Sequence, residues 1–192
     1  DKGQFDAYHA GSTATLCIHD QKTKKYLVAH VADSTCVLGK FNKTGEALTR
    51  DHKPELDDER ARIEGAGGQV IFDGYANHRV YDKTGEAPGM NMSRCLGDLH
   101  AHRDCGVIAE PETKILEVRP DDAMLLLCSD GVWEFTEPAT AVGLVFPFFK
   151  KGQATQAAEK LAKHAWDRWM KEEQGAVVDD ITVICIFLNK KA

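Results

Sequence analysis

No stretch of the 192-residue chain approaches the roughly 18 consecutive apolar residues that a membrane-crossing helix needs. The opening, Asp1-Lys2-Gly3-Gln4-Phe5, is too polar for a secretory leader, so an intracellular protein is expected, cytoplasmic with the nucleus left open. Cys-x-x-Cys pairs are also missing. The six cysteines (Cys17, Cys36, Cys95, Cys105, Cys128, Cys185) stand mostly inside apolar runs, as small hydrophobes do in a reducing compartment. There is no excess of positive charge: 24 Lys and Arg against 30 Asp and Glu leave a net charge of -6, which speaks against a nucleic-acid partner. The short basic clusters, Lys22-Thr23-Lys24-Lys25 and the tail Asn189-Lys190-Lys191-Ala192, read as a solvated turn and a solvated terminus. With no repeat, low-complexity tract or linker either, a single domain over 1–192 is expected.

At 43% hydrophobic and 28% charged, a chain of this length can bury a sizeable core. Strand-like apolar runs fall at 13–18, 26–31, 35–38, 69–72, 113–118, 124–128 and 181–188, bounded by Gly, Asp, Asn or Pro. A helix is expected to open at Pro54, with Glu55, Asp57, Asp58 and Glu59 early, Arg60 and Arg62 late, and to stop near Gly65, an order that suits the helix dipole. Another spans about 153–173, where Ala154, Ala157, Ala158, Leu161, Ala162, Ala165, Trp166 and Trp169 repeat at helical spacing. A shorter helix at 139–149 is expected to be cut by Pro147. These elements point to a mixed α/β unit.

Three acids stand at strand ends. Asp130 follows Met124-Leu125-Leu126-Leu127-Cys128-Ser129, Asp179 precedes the run that starts at Ile181, and Asp33 ends the stretch Tyr26 to Ala32. A carboxylate there can point into a cleft while the strand holds its backbone still, which suits hard cations such as Mg²⁺ and Mn²⁺ that take oxygen ligands. Singly, Asp-Gly and Asp-Ser are also ordinary turn chemistry, so the combination carries the metal reading.

These segments resemble the metal-dependent serine/threonine phosphatases of the protein phosphatase 2C family. The resemblance runs in order through Gly11-Ser12-Thr13-Ala14-Thr15, Val31-Ala32-Asp33-Ser34-Thr35, Thr49-Arg50-Asp51-His52-Lys53-Pro54, Ala66-Gly67-Gly68, Ser93-Arg94-Cys95-Leu96-Gly97-Asp98, Glu110-Pro111-Glu112, Ser129-Asp130-Gly131-Val132-Trp133-Glu134 and Asp179-Asp180-Ile181-Thr182. It implies a sandwich of two mainly antiparallel sheets flanked by helices. It further implies phosphoprotein substrates, hydrolysed at phosphoserine or phosphothreonine by water that two Mg²⁺ or Mn²⁺ ions activate. Asp130 and Asp179 would ligate these metals, and Asp33 would help hold a further, weaker one.

Residues before Gly11 offer no counterpart of the family's phosphate-gripping arginine or its Asp-Gly-His-Gly segment. The expectation is therefore a C-terminal part of the domain, without its N-terminal strands and weakly active or inactive alone. A catalytically dead binding or scaffold module is the alternative. Two departures bear on the site: Thr35 replaces the arginine usual after Asp-Ser, removing a basic side chain near Asp33, and Asp180 replaces the asparagine usual after Asp179. Both residues of the Asp179-Asp180 pair are candidate ligands, and the resemblance favours Asp179.

Other residues take plainer readings. His100, His102 and Cys105 lack a fourth zinc ligand and read as loop residues. Arg94 and Asp98 read as an internal polar network, the stretch 73–92 as a substrate-side flap loop, Trp133 as core, and His52 as a turn or cap.

Overall fold

The computed structural model describes residues 6–188, so the opening Asp1-Lys2-Gly3-Gln4-Phe5 and the expected tail Asn189 to Ala192 lie outside the described residues. Along the chain come β1 (Gly11–Ser12), β2 (Ala14–Asp20), β3 (Lys25–Val31), β4 (Thr35–Lys40), β5 (Gly45–Ala47), α1 (Asp57–Gly65), β6 (Gln69–Phe72), β7 (His78–Tyr81), β8 (Pro88–Met90) and β9 (Leu96–Gly97). They are followed by α2 (Leu99–Asp104), β10 (Glu112–Glu117), β11 (Asp122–Cys128), α3 (Asp130–Trp133), α4 (Pro138–Phe149), α5 (Ala154–Glu172) and β12 (Val183–Phe187). The architecture is mixed α/β, with antiparallel sheets flanked by helices. No helix among the described residues is long and apolar enough to cross a membrane.

Contacts group the chain into two compact units that interleave along the sequence. One takes the stretch ending at Ala14, then His30–Asp33 and Asp51–Glu112; the other takes Thr15–Ala29, Ser34–Arg50 and the stretch from Thr113 onward.

In the second unit a four-stranded sheet runs β12-β11-β4-β5, with β11 antiparallel to both β12 and β4. Every residue of β11 is buried, which its unbroken apolar run predicts. Its side chains alternate between faces. Met124, Leu126 and Cys128 join Val37 of β4 against Val142, Val145, Leu161 and Ala165 of α4 and α5. Leu125 and Leu127 join Cys36 and Leu38 against Tyr26 and Val28 of β3, which belongs to the sheet β10-β3-β2. β11 thus packs against the helical layer on one face and against the second sheet on the other. Each such aliphatic side chain, fully buried, contributes about 1.5–3 kcal/mol.

Gly39 lets α4 approach β4: a Cβ there would stand 2.7 Å from Met124 and 2.9 Å from Val142. Pro147 does not cut α4, as the sequence suggested. It lies in the last turn, where its missing N–H forgoes only a bond to Gly143, and the helix ends at Phe149. In α5 the buried residues are Ala157, Leu161, Ala165 and Trp169, a stripe of i,i+4 steps, whereas Trp166 turns outward at 50% exposure.

In the first unit, α1 starts at Asp57 rather than at Pro54, because Leu56 keeps extended backbone and caps the helix while its N–H closes a turn on Lys53. Ile63 of α1 packs with Val80, Cys95, Ala101, Cys105 and Val107. The stretch 73–92, expected as a loop, supplies β7 and β8 of a meander in the order β6-β7-β8.

Candidate metal centre

The antiparallel ladder that ends at Cys128 and Val183 continues past the strands. Ser129 donates its N–H to the Thr182 carbonyl (3.2 Å), and Thr182 donates its N–H to Ser129 Oγ (3.0 Å). The Ser129 hydroxyl in turn donates to the Asp180 carbonyl (2.8 Å). This zip lays the segment carrying Asp130 against the one carrying Asp179. Asp130 is the first residue of α3, half-buried, where a helix N-terminus favours negative charge. Gly131 is required here by close approach: a Cβ would stand 2.4 Å from the Asp180 carbonyl oxygen.

The Asp130 turn is anchored from behind. Trp169 Nε1 donates to the Gly131 carbonyl (2.7 Å), and Trp133 Nε1 to the Cys128 carbonyl (3.1 Å). Trp133 thus packs against the core, as read, and also holds the strand end. Asp179 and Asp180 are both exposed; Asp179 Oδ1 accepts the Asp180 N–H (2.7 Å), while Asp180 is tied through its carbonyl.

Asp33 belongs to the first unit, on the turn between β3 and β4, and is 2% exposed. Its Oδ2 accepts from Lys53 Nζ at 2.6 Å. The basic partner that Thr35 fails to supply therefore comes from Lys53. Ala32, beside it, holds φ at 77°, a left-handed backbone that favours glycine. Two hydrogen bonds from the next segment fix this turn: Ala32 N–H donates to His52 Nδ1 (3.0 Å), and His52 N–H donates to the Ala32 carbonyl (3.1 Å).

His52 is fully buried and stacked on His30, with Nε2 3.7 Å from Glu112 Oε1 and no hydrogen-bond partner. Burial first, then the Arg94 charge and His30, pull its pKa down to about 4 against the pull of Glu59 and Glu112. Ligand-type atoms of His30, His52 and Glu112 lie within 4.8 Å of one another, a grouping that could hold a cation. Sequence reasoning missed it, since its members are far apart in the chain and none carries a motif for it. Because His52 Nδ1 accepts a backbone N–H, the neutral ring carries its proton on Nε2. Ligation through Nε2 would require that bond to be given up.

Arg94 belongs to an internal network, as expected. Its guanidinium holds Glu59 at 2.6 and 3.0 Å, Ser93 donates to the same carboxylate, and Arg62 reaches it at 2.8 Å. Burial pushes Glu59 upward, but the hydrogen bonds from Arg94, Ser93 and Arg62 outweigh it and hold the carboxyl at about 2. The histidines near Cys105 do not form a zinc site. His100 pairs with Asp104 and stacks on Tyr8, and His102 meets the Cys95 carbonyl at 3.1 Å.

The family described as Protein phosphatase 2C matches residues 2–173. The Arabidopsis thaliana protein named probable protein phosphatase 2C 73 is 31% identical over 195 residues, covering 98% of this chain and 51% of its own length. Probable protein phosphatase 2C 72, also from Arabidopsis thaliana, is 35% identical over 193 residues, covering 97% and 57%. Among solved structures, a serine-threonine phosphatase 2C from Toxoplasma gondii superposes with a TM-score of 0.81 over 94% of this chain and 59% of its own, at 23% identity, a likeness of fold. A C. elegans sex determining protein gives 0.74 at 30% identity, covering 93% and 40%. The chain spans about half the length of the curated relatives it matches.

Proposed function

The chain belongs to the protein phosphatase 2C family, and from that membership we propose that it carries part of the active site of a metal-dependent phosphatase acting on phosphoserine and phosphothreonine in proteins. Asp130 and Asp179 would hold the catalytic cations, Mg²⁺ or Mn²⁺, two in number, with Asp33 directed to a further one. The observation that carries this reading is the zip from Cys128 and Val183 through Ser129 and Thr182, which sets two carboxylate-bearing segments side by side at one end of one sheet. The donor chemistry fits: both are oxygen donors, as hard cations require. When bound, such cations activate water for in-line attack on phosphorus and offset charge on the phosphoryl oxygens.

The chain's own residues position rather than attack. Ser129, Trp133 and Trp169 hold the Asp130 turn; Lys53 and His52 hold the Asp33 turn. No thiolate competes for the role of nucleophile at Cys95, Cys105, Cys128 or Cys185. Burial pushes Cys95 up to about 12 and Cys105 and Cys185 to about 11, and raises Cys128 further, so these stay protonated at neutral pH. All six cysteines are free, which supports a cytoplasmic or nuclear setting.

Calorimetric titration of Mn²⁺ tests the assignment. Binding should disappear in the Asp130→Asn, Asp179→Asn double variant, and in the full-length protein Asp130→Asn should lower turnover of a phosphothreonine peptide at least about a hundredfold. Undiminished Mn²⁺ binding by the double variant would sink the metal assignment.

A further inference from the structure

Asp33 sits on a turn whose backbone an L residue disfavours, yet the turn is held in place. Three contacts do this, all from two consecutive residues of the segment before α1: the His52 N–H on the Ala32 carbonyl (3.1 Å), His52 Nδ1 under the Ala32 N–H (3.0 Å), and Lys53 Nζ on the Asp33 carboxylate (2.6 Å). A backbone N–H that donates to an imidazole leaves that ring one tautomer, with the proton on Nε2. His52 Nε2 accordingly faces Glu112 Oε1, an acceptor, at 3.7 Å, and its ring is locked against His30 in a fully buried site.

We infer that His52 is a positioning residue for Asp33: held as the Nε2–H tautomer by the Ala32 peptide and stacked on His30, it fixes the left-handed turn that presents the Asp33 carboxylate. This rests on the reading of Asp33 as a cation ligand. Asp51-His52-Lys53-Pro54 was expected to supply a turn or a cap; the turn that the His52 ring holds is the one at Ala32, outside α1. An asparagine at position 52 could keep the contact to Ala32, because its Oδ1 occupies the place of Nδ1 as an acceptor, whereas leucine fills the volume and accepts nothing.

The test has parts that stand without one another. Nitrogen NMR of the unmodified protein should show an acceptor-type Nδ1 and a protonated Nε2 at His52; the opposite tautomer overturns the proposal. Amide exchange at Ala32 should accelerate about tenfold in His52→Leu and stay near the parent rate in His52→Asn, with β11 amides unchanged in both; an unchanged rate at Ala32 in His52→Leu also overturns it. Mn²⁺ titration, with the Asp33-dependent part defined by Asp33→Asn, should lose about tenfold in affinity for that part in His52→Leu and recover in His52→Asn. If the parent protein shows no Asp33-dependent binding, the functional reading of Asp33 falls, and the exchange and tautomer results alone uphold or overturn the role of His52.

Discussion

The imidazole of His52 lies flat on that of His30, with ring centres 4.5 Å apart and planes 3° from parallel. Two imidazolium ions cannot share this stack without strong repulsion, and Arg94 adds a further positive charge to the surroundings of His52. The fully buried ring is thus held neutral in the folded protein.

Stability should therefore fall in mild acid. The unfolded chain takes up a proton at His52 near its ordinary value of 6.5, while the folded protein resists until about 4. The contribution of this residue is fully present above pH 6.5 and is lost as the pH drops toward 4, by about 3 kcal/mol in all. Glu59, held at about 2 against an ordinary 4.5, extends the loss below pH 4.5. Urea midpoints measured from pH 7 to pH 4 should decline, and the upper part of the decline should vanish in His52→Asn. A flat midpoint from pH 7 to pH 5 would contradict this account.

Ala32→Gly should stabilise the protein. With φ at 77°, Ala32 carries a left-handed penalty that glycine lacks, partly offset by the greater freedom of glycine in the unfolded chain, for a net gain of about 1 kcal/mol. A rise in the urea midpoint without a change in slope is the expected result; a fall would mean that the alanine methyl makes contacts worth more than the strain.

Lys53→Met should cost stability in the absence of divalent cations, since it leaves the Asp33 carboxylate buried at 2% exposure without its ammonium. Breaking a buried pair of this kind costs about 3–5 kcal/mol, less here because Lys53 is itself 27% exposed. Adding Mn²⁺ should restore more of the melting temperature in this variant than in the parent, as a cation replaces the missing charge. Equal Mn²⁺ shifts in both proteins would argue that Asp33 does not meet a cation.

Gly131→Ala should disturb the proposed metal centre more than its small size suggests. The added methyl would stand 2.4 Å from the Asp180 carbonyl oxygen, so the Asp179 segment must move away from the Asp130 turn. We expect about 1–3 kcal/mol of destabilisation and a weaker Mn²⁺ affinity by calorimetry. Unchanged affinity would separate the metal site from the packing of these two segments.

Much of this was legible in the sequence where apolar runs were long. β3, β4, β11 and β12 follow from their Val, Leu and Ile content, and α5 from its spacing, because burial on one or both faces writes itself into composition. β7 and β8 escaped notice: His78, Arg79 and Tyr81 show little apolar alternation, and Ala87-Pro88-Gly89 resembles a turn. α2 was hidden in the same way by Leu99-His100-Ala101-His102-Arg103-Asp104, which buries only Ala101.

The acids of the proposed site were chosen from strand ends, whereas their partners in the fold could not be read from the sequence. Lys53 meets Asp33 across twenty residues, and Arg94 meets Glu59 across thirty-five. No periodicity links such pairs, and only the fold brings them together. The same holds for His30 and His52, which looked unremarkable apart and share one stack.

The place of β11 in the chain has a consequence for synthesis. β4 and the apolar face of β3 emerge from the ribosome early, but the strand that lies against both, Asp122–Cys128, is translated far later. At about 5–20 residues per second, Tyr26, Val28, Cys36 and Leu38 wait on the order of several seconds before Leu125 and Leu127 arrive to cover them. A nascent chain stalled before Asp122 would present an open apolar ladder to chaperones, and slow codons in that interval should raise the fraction of the protein that is lost to aggregation before it is ever complete.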